Sequence, residues 1–223
     1  RVGDAFLHIN EPDYNGHTYG WGSTTWNRSV TNVDTMLGKL FTLVEQALAA
    51  MLGKTAIILT ADHGNQDNPP TGADRYSVPF YVWGPGVAAG TDLYALNAST
   101  RRVAPSYPMT TYAGMQPIRN AEANNLALQL LGLGPIPGSS FNYAQDLKVT
   151  LPLTITGISN QGDGNFTISG TADKSGKVVL LKTTSLTLAW TPIQTNDVTA
   201  GVPFSFLISQ DTDPQALFRF MGQ

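Results

Sequence analysis

The sequence contains no cysteine, which excludes disulfides and thiolate metal sites. Any bound metal must therefore rest on Asp, Glu, His or other oxygen ligands. Charge is also sparse, since charged residues make up 13% of the 223 residues and the formal net charge is −3. We therefore expect no basic surface for nucleic acid or anionic membranes. The longest apolar runs, residues 47–52 and 55–59, are divided by Lys54 and are too short for a membrane span.

An initiator methionine and a signal peptide are likewise missing from the start of the sequence, which reads Arg1-Val2-Gly3-Asp4 and leads at once into a predicted strand. A natural domain seldom begins against a core strand, so we expect a fragment of a longer protein. Its content of apolar residues, 42% with 9% aromatic, is ordinary for a packed globular protein.

The first two thirds of the chain has the rhythm of an α/β fold with helices on both faces of a sheet. Apolar residues at three- and four-residue steps predict helices, and apolar runs predict strands. The continuous run at residues 55–60 is typical of a central parallel strand. A polar loop is expected at residues 11–24. The predicted helices are residues 30–52 and 122–131, and the predicted strands are residues 5–10, 55–60 and 78–83.

After about residue 147 the pattern changes to short strands separated by Gly, Asn, Asp and Thr turns, which predicts a small all-β sandwich. We therefore divide the chain into domains at residues 1–148 and 149–223. Trp190 is expected in the sandwich core rather than as a sugar-stacking platform. The predicted strands are residues 153–158, 165–169, 177–181, 186–190, 203–208 and 216–220.

Two short segments at predicted strand ends carry the residues suited to metal chemistry. Asp13 and His17 stand four apart in a loop containing Gly16, and Asp62-His63 follows the apolar run at residues 55–60. Carboxylate and imidazole are the ligands that Zn²⁺ accepts in the absence of thiolates. An Asp–x–x–x–His spacing alone is common, and Asp62-His63-Gly64 alone also fits an Asp-capped turn in which His63 only makes hydrogen bonds. The remaining histidine, His8, lies mid-strand, where a core or supporting role is expected.

Several motifs in order resemble one known family. Pro12-Asp13, Gly16-His17, Gly20-Trp21 and Ser23 resemble a metal-binding segment of type I phosphodiesterases and nucleotide pyrophosphatases, within the alkaline phosphatase superfamily. The run from Thr55 to Gly64, ending Thr-Ala-Asp-His-Gly, is similar to their second metal-binding segment. The resemblance continues through residues 116–120 to residues 130–133, and it covers about residues 6–147. It implies the catalytic domain's C-terminal half, with an alkaline phosphatase-like sheet.

The resemblance also implies a chemistry. Asp13 and His17 would bind one divalent ion and Asp62 and His63 a second, both most often Zn²⁺, on either side of a small phosphate ester. One ion activates a Ser or Thr nucleophile and the other assists phosphoryl oxygen or the attacking water. The expected activity is hydrolysis of phosphate mono- or diesters. The family's nucleophile lies upstream of residue 1, so the chain alone is expected to lack it.

One departure from the family leaves alternatives open. No histidine follows His63 to supply the first ion's usual third ligand, and only Asp67 or Asp74 offers a nearby oxygen substitute. The rival hypotheses are a non-catalytic exported binding or scaffold protein with a degenerate domain, and a sulfatase-type ester hydrolase. The C-terminal domain is similar to small modules appended to secreted bacterial enzymes, so we expect a periplasmic or extracellular location.

Overall fold

The computed structural model describes residues 3–47, 54–65, 76–105, 113–162, 164–185, 190–209 and 216–222. The chain separates into two compact units. Unit 1 contains residues 1–84 and 97–147, and unit 2 contains residues 85–96 and 148–223. Domain boundaries in the whole protein, placed above at residues 148 and 149, stay a prediction.

Unit 1 combines three helices with a small sheet. Helix α1 (Glu11–Tyr19) is followed by helix α2 (Thr24–Thr42), which continues into a π-helical turn at Leu43–Ala47. Strands β1 (Ile57–Thr60) and β2 (Phe80–Trp83) form an antiparallel pair in which Ile57 lies opposite Trp83. The last helix of the unit spans Glu122–Leu130 and is labelled α4 below, because a short helix of unit 2 precedes it in sequence.

Sequence reasoning was wrong about the sheet and about the first thirty residues. Among the residues that the structure describes in unit 1, the sheet is antiparallel and two-stranded, not the predicted parallel one. Residues 5–10 form no strand, and the Phe6 side chain is 91% exposed. The apolar character of residues 5–10 satisfies the pattern of a strand, but a strand also needs a hydrogen-bonding partner. No described strand pairs with residues 5–10.

The predicted loop at residues 11–24 contains helix α1, and helix α2 begins at Thr24 rather than at residue 30. Helix α1 carries no apolar stripe, so the periodicity of its sequence could not reveal it. The available signals were Pro12 in the first turn and acidic Glu11 and Asp13 near the positive end of the helix. The side chain of Ser23 caps α2 by accepting a hydrogen bond from the Trp26 N–H at 3.2 Å. Residues 48–52 of the predicted helix lie outside the described residues.

A buried ionic cluster joins three segments of unit 1. The guanidinium of Arg101 donates to Glu122 Oε2 at 2.8 Å and to Asp146 Oδ1 at 2.8 Å. Burial alone lowers the pKa of Arg101, but the hydrogen bonds and charges of Glu122 and Asp146 outweigh it, so that the pKa lies above its usual value. The arginine therefore stays charged and paired.

Unit 2 is an all-β sandwich with one added helical turn, α3 (Leu93–Leu96), which the sequence did not predict. Its two three-stranded antiparallel sheets have the orders β3-β4-β7 and β6-β5-β8. Ile168, Val178 and Phe206 come from both sheets and share one buried core. The strands are β3 (Leu153–Asn160), β4 (Phe166–Ala172), β5 (Gly176–Thr183), β6 (Thr191–Val198), β7 (Phe204–Ile208) and β8 (Leu217–Gly222).

The predicted sandwich matches this unit at five strands. Residues 186–189 of the predicted fourth strand lie outside the described residues, whereas β6 follows at Thr191–Val198, where no strand was expected. Trp190 is partly buried, with the Arg219 guanidinium 4.5 Å above its ring. Nowhere in the described part of the chain is a helix long and apolar enough to cross a membrane.

Candidate metal centre

Helix α1 presents Asp13 and His17 on one face, one turn apart. The distance from Asp13 Oδ1 to His17 Nε2 is 3.4 Å. The two side chains were expected to converge through a flexible glycine loop. They converge instead because residues four apart on a helix are neighbours, so a rigid element sets their spacing.

The end of strand β1 brings a second histidine to the same carboxylate. His63 Nε2 lies 3.5 Å from Asp13 Oδ1, although fifty positions separate the two residues. Asp62 remains at the margin: its side chain is 84% exposed, and its Oδ2 lies 3.7 Å from His63 Nε2. The structure thus gathers Asp13, His17 and His63 around one oxygen, with Asp62 beside them.

The ring orientation of His63 is fixed by a backbone carbonyl of the next residue. His63 Nδ1 lies 2.8 Å from the carbonyl oxygen of Gly64. A carbonyl only accepts hydrogen bonds, so Nδ1 must carry the proton and, in the neutral ring, Nε2 holds a lone pair. A metal-binding histidine commonly donates its other ring N–H in this way. Nε2 of His63 faces Asp13 Oδ1.

Asp13 Oδ1 is buried and accepts no hydrogen bond. A buried polar atom without a partner is costly, and a carboxylate oxygen facing an imidazole lone pair adds repulsion. A cation between them would relieve both. Two ligands of a tetrahedral zinc ion, each about 2.0–2.1 Å from it, lie about 3.4 Å apart, close to the separations seen here. Among the described residues, however, no group of three or more His, Asp or Glu side chains is placed so that it could hold a metal ion.

An aromatic side chain forms one wall of the cluster. The ring of Trp21 meets the rings of His17 and His63 edge-on, with centroids 5.7 Å and 6.5 Å apart. The ring of Trp21 also meets the ring of Trp26 edge-on, with centroids 6.1 Å apart. In the sequence, Trp21 can be recognised only as part of a motif, because an aromatic residue in a turn gives no sign of which side chains it contacts.

Other predicted participants are placed differently. His8 is exposed and stacks on the equally exposed ring of Phe6 at 6.3 Å, so its expected position in the core is wrong. Asp67 and Asp74, the substitute oxygen ligands, lie outside the described residues. The assignment of Asp13 with His17 to one ion, and of Asp62 with His63 to another, stays a prediction.

Comparison with known proteins identifies the segment that carries this cluster. The sequence profile of the family "Type I phosphodiesterase / nucleotide pyrophosphatase" matches residues 4–81, which include all four predicted ligands. The resemblance at residues 82–147 lies beyond that match and stays a prediction. No solved structure matches the chain.

The curated relatives share one printed name, GPI ethanolamine phosphate transferase 1. The protein from Aspergillus oryzae is 37% identical over 87 residues, which is 38% of this chain and 8% of the relative. The protein from Emericella nidulans is 37% identical over 86 residues, or 37% and 9% of the two chains. The protein from Mus musculus is 33% identical over 85 residues, again 37% and 9%. The chain thus covers less than a tenth of these relatives. Residues 4–81 are thus similar to the type I phosphodiesterase / nucleotide pyrophosphatase family, which is part of the alkaline phosphatase superfamily.

Proposed function

We propose that unit 1 supplies metal ligands to a centre that cleaves a phosphate ester, with Asp13, His17, Asp62 and His63 as those ligands. The observation that carries the proposal is that His17 Nε2 and His63 Nε2 lie 3.4 Å and 3.5 Å from the same carboxylate oxygen, Asp13 Oδ1. Imidazole nitrogens gathered at a carboxylate are the donor types that a divalent cation binds.

The donor set suits zinc. Two imidazoles with one or two carboxylates form a borderline-soft, thiolate-free set of the kind found in hydrolytic zinc sites. When bound, divalent ions would supply Lewis-acid polarisation of phosphoryl oxygen and activation of a hydroxyl or water. The chain's own residues hold the geometry: α1 spaces Asp13 and His17, the Gly64 carbonyl orients His63, and Trp21 shields one side of both imidazoles.

The substrate is proposed to be a small phosphate ester, and the reaction is hydrolysis. Transfer of the phosphoryl-bearing group to an alcohol is the second candidate, because the curated relatives are named as ethanolamine phosphate transferases. Both reactions use the same attack on phosphorus and differ in the final acceptor, water or a hydroxyl group. A periplasmic or extracellular location remains part of the proposal.

Zinc titration of the chelator-treated chain by calorimetry tests the metal site. Saturable binding is expected in the wild type and in His8→Ala, which removes the one histidine outside the cluster. Asp13→Ala and His63→Ala should each weaken binding at least about tenfold, since each removes a direct ligand. Absence of saturable binding, or equal loss in His8→Ala, would refute the site. Phosphorus NMR of the metal-loaded parent protein, with and without an added alcohol, then separates hydrolysis from transfer.

A further inference from the structure

One side chain outside the cluster is bonded to the turn that carries two of its members. The amide nitrogen of Asn120, which lies just before helix α4, donates to the carbonyl oxygens of Ala61 and Asp62, at 3.0 Å and 2.7 Å. These are consecutive carbonyls nearly sixty positions away in the sequence. Asn120 thus bridges the start of α4 and the end of strand β1.

The orientation of this amide follows from its partners. Both contacts of Nδ2 are carbonyl oxygens, which accept only, and Oδ1 accepts from the Ala121 N–H at 2.9 Å. The reversed amide would place oxygen against oxygen twice. All three hydrogen bonds require the same amide orientation, so the Asn120 side chain is held in one conformation.

The two carbonyls belong to the consecutive peptide groups on either side of the Asp62 Cα, so fixing both fixes the direction in which His63 leaves the strand. The turn is held locally as well, because Asp62 Oδ1 accepts from the His63 N–H at 3.1 Å. Local bonds set the shape of the turn, but they do not attach it to the rest of unit 1. Of the side-chain hydrogen bonds made by the described residues 61–64, those from Asn120 reach a distant segment.

We propose that Asn120 is a positioning residue of the metal centre, which holds the Asp62-His63 turn where His63 Nε2 faces Asp13. This inference rests on the proposed function. Asn120 touches neither the carboxylate of Asp13 nor the ring of His63 in the described contacts, and it acts through the backbone. Without the hydrogen bonds from Asn120, the turn samples other positions. Zinc binding must then also order the turn, and the lost conformational entropy weakens the binding.

The sharpest test replaces Asn120 by Asp, which keeps the shape and the acceptor for the Ala121 N–H but cannot donate to either carbonyl. Asn124→Asp is the matched control, because Asn124 is exposed on the same helix and the substitution adds the same charge. We expect zinc binding by the chain to weaken about tenfold in Asn120→Asp, the loss of two hydrogen bonds of ordinary strength, and to stay within about twofold in Asn124→Asp.

A second readout separates positioning from general stability. With Co²⁺ in place of zinc, the visible absorption bands of the ion report its ligand geometry. They should change in Asn120→Asp and not in Asn124→Asp, while both variants keep the wild-type circular dichroism. Should Asn120→Asp fail to fold, Asn120→Ser with Asn124→Ser gives the same comparison, because a serine hydroxyl is too short to reach the carbonyls.

The outcomes are distinct. If the wild type binds zinc and Asn120→Asp binds equally well with an unchanged cobalt spectrum, the positioning role is overturned and the proposed function stands. Equal weakening in both Asp variants would also overturn it, because charge alone would then explain the loss. If the wild type shows no saturable binding, the proposed function fails first, and this inference fails with it.

Discussion

Gly16 and Trp21 are in direct contact: a methyl group built on Gly16 would lie 2.8 Å from three carbons of the Trp21 ring. The indole therefore packs flat against the backbone of helix α1. Glycine inside a helix lowers stability by about 1 kcal/mol relative to alanine. The close approach of the Trp21 ring explains why glycine occupies this position nonetheless. Since Trp21 also contacts His17 and His63, the absence of a side chain at Gly16 lets the Trp21 ring form one wall of the candidate metal centre.

Gly16→Ala should therefore weaken zinc binding although alanine favours the helix. The gain in helix propensity is about 1 kcal/mol, and displacing a packed indole costs about 1–3 kcal/mol. We expect a shifted Trp21 and a several-fold lower zinc affinity, measured by calorimetry together with tryptophan fluorescence.

Gly38→Ala is the control, since Gly38 is exposed in helix α2 and has nothing within 4 Å of its added methyl group. That change should raise the free energy of unfolding of unit 1 by up to about 1 kcal/mol and leave zinc binding unchanged. Unaltered zinc affinity in Gly16→Ala would show that Trp21 does not shape the centre.

Zinc should stabilise unit 1 and not unit 2. A ligand that binds the folded state alone raises the free energy of unfolding by about 2.7 kcal/mol at one hundred times its dissociation constant. The expected gain belongs to the helices and strands that hold Asp13 and His63. Hydrogen exchange measured peptide by peptide should show slower exchange in α1 and β1 with zinc, and unchanged exchange in β5. The same protection in Asp13→Ala would mean that zinc binds elsewhere.

Much of unit 2 and part of unit 1 follow from the sequence. Helix α4 was expected at residues 122–131 and spans Glu122–Leu130, because its apolar spacing and Gly132 are local signals. Helix α1 has no apolar stripe, so no periodicity marks it. The antiparallel pairing of β1 and β2 depends on which strands meet in space, and an apolar run does not state its direction.

The candidate site likewise has residues that the sequence predicts and residues that it does not. Motifs pointed to Asp13, His17, Asp62 and His63, whose chemistry can be recognised from residue type and spacing. The supporting residues could not be recognised so: Asn120 acts through two backbone carbonyls and Trp21 through ring packing. Neither role has a signature in sequence, since each depends on a distance between segments far apart in the chain.

Removing the buried arginine should destabilise unit 1 strongly. Arg101 and Glu122 are 9% and 4% exposed, so Arg101→Met leaves a buried carboxylate without its cation. The expected loss in the free energy of unfolding is about 3–5 kcal/mol. For comparison, Lys177→Met removes a surface pair with Asp197, whose side chains are 58% and 83% exposed, and should cost less than about 1 kcal/mol. Urea denaturation followed by far-ultraviolet circular dichroism measures both.

The pH dependence of this loss follows from the sign of the pKa shift. Burial lowers the pKa of Arg101, but its bonds to Glu122 and Asp146 raise that pKa by more than burial lowers it. The pKa of Arg101 in the folded protein therefore exceeds its pKa in the unfolded chain. The stabilisation is then complete below the unfolded pKa and is lost only as the pH rises through the folded pKa. The cost of Arg101→Met should therefore be the same at pH 8 and pH 9.5. A smaller cost at pH 9.5 would mean that the guanidinium loses its proton early.

Two adjacent residues of β7 should differ sharply in their effect on unit 2. Phe206 is 1% exposed and packs in the core shared by the two sheets, whereas Leu207 is 55% exposed on the other face of the strand. Phe206→Ala should lower the free energy of unfolding by about 3–5 kcal/mol, through lost transfer energy and the cavity left behind. Leu207→Ala should cost less than about 1 kcal/mol. Similar losses in urea denaturation would mean that β7 is shifted by one residue, because such a slip exchanges the two faces.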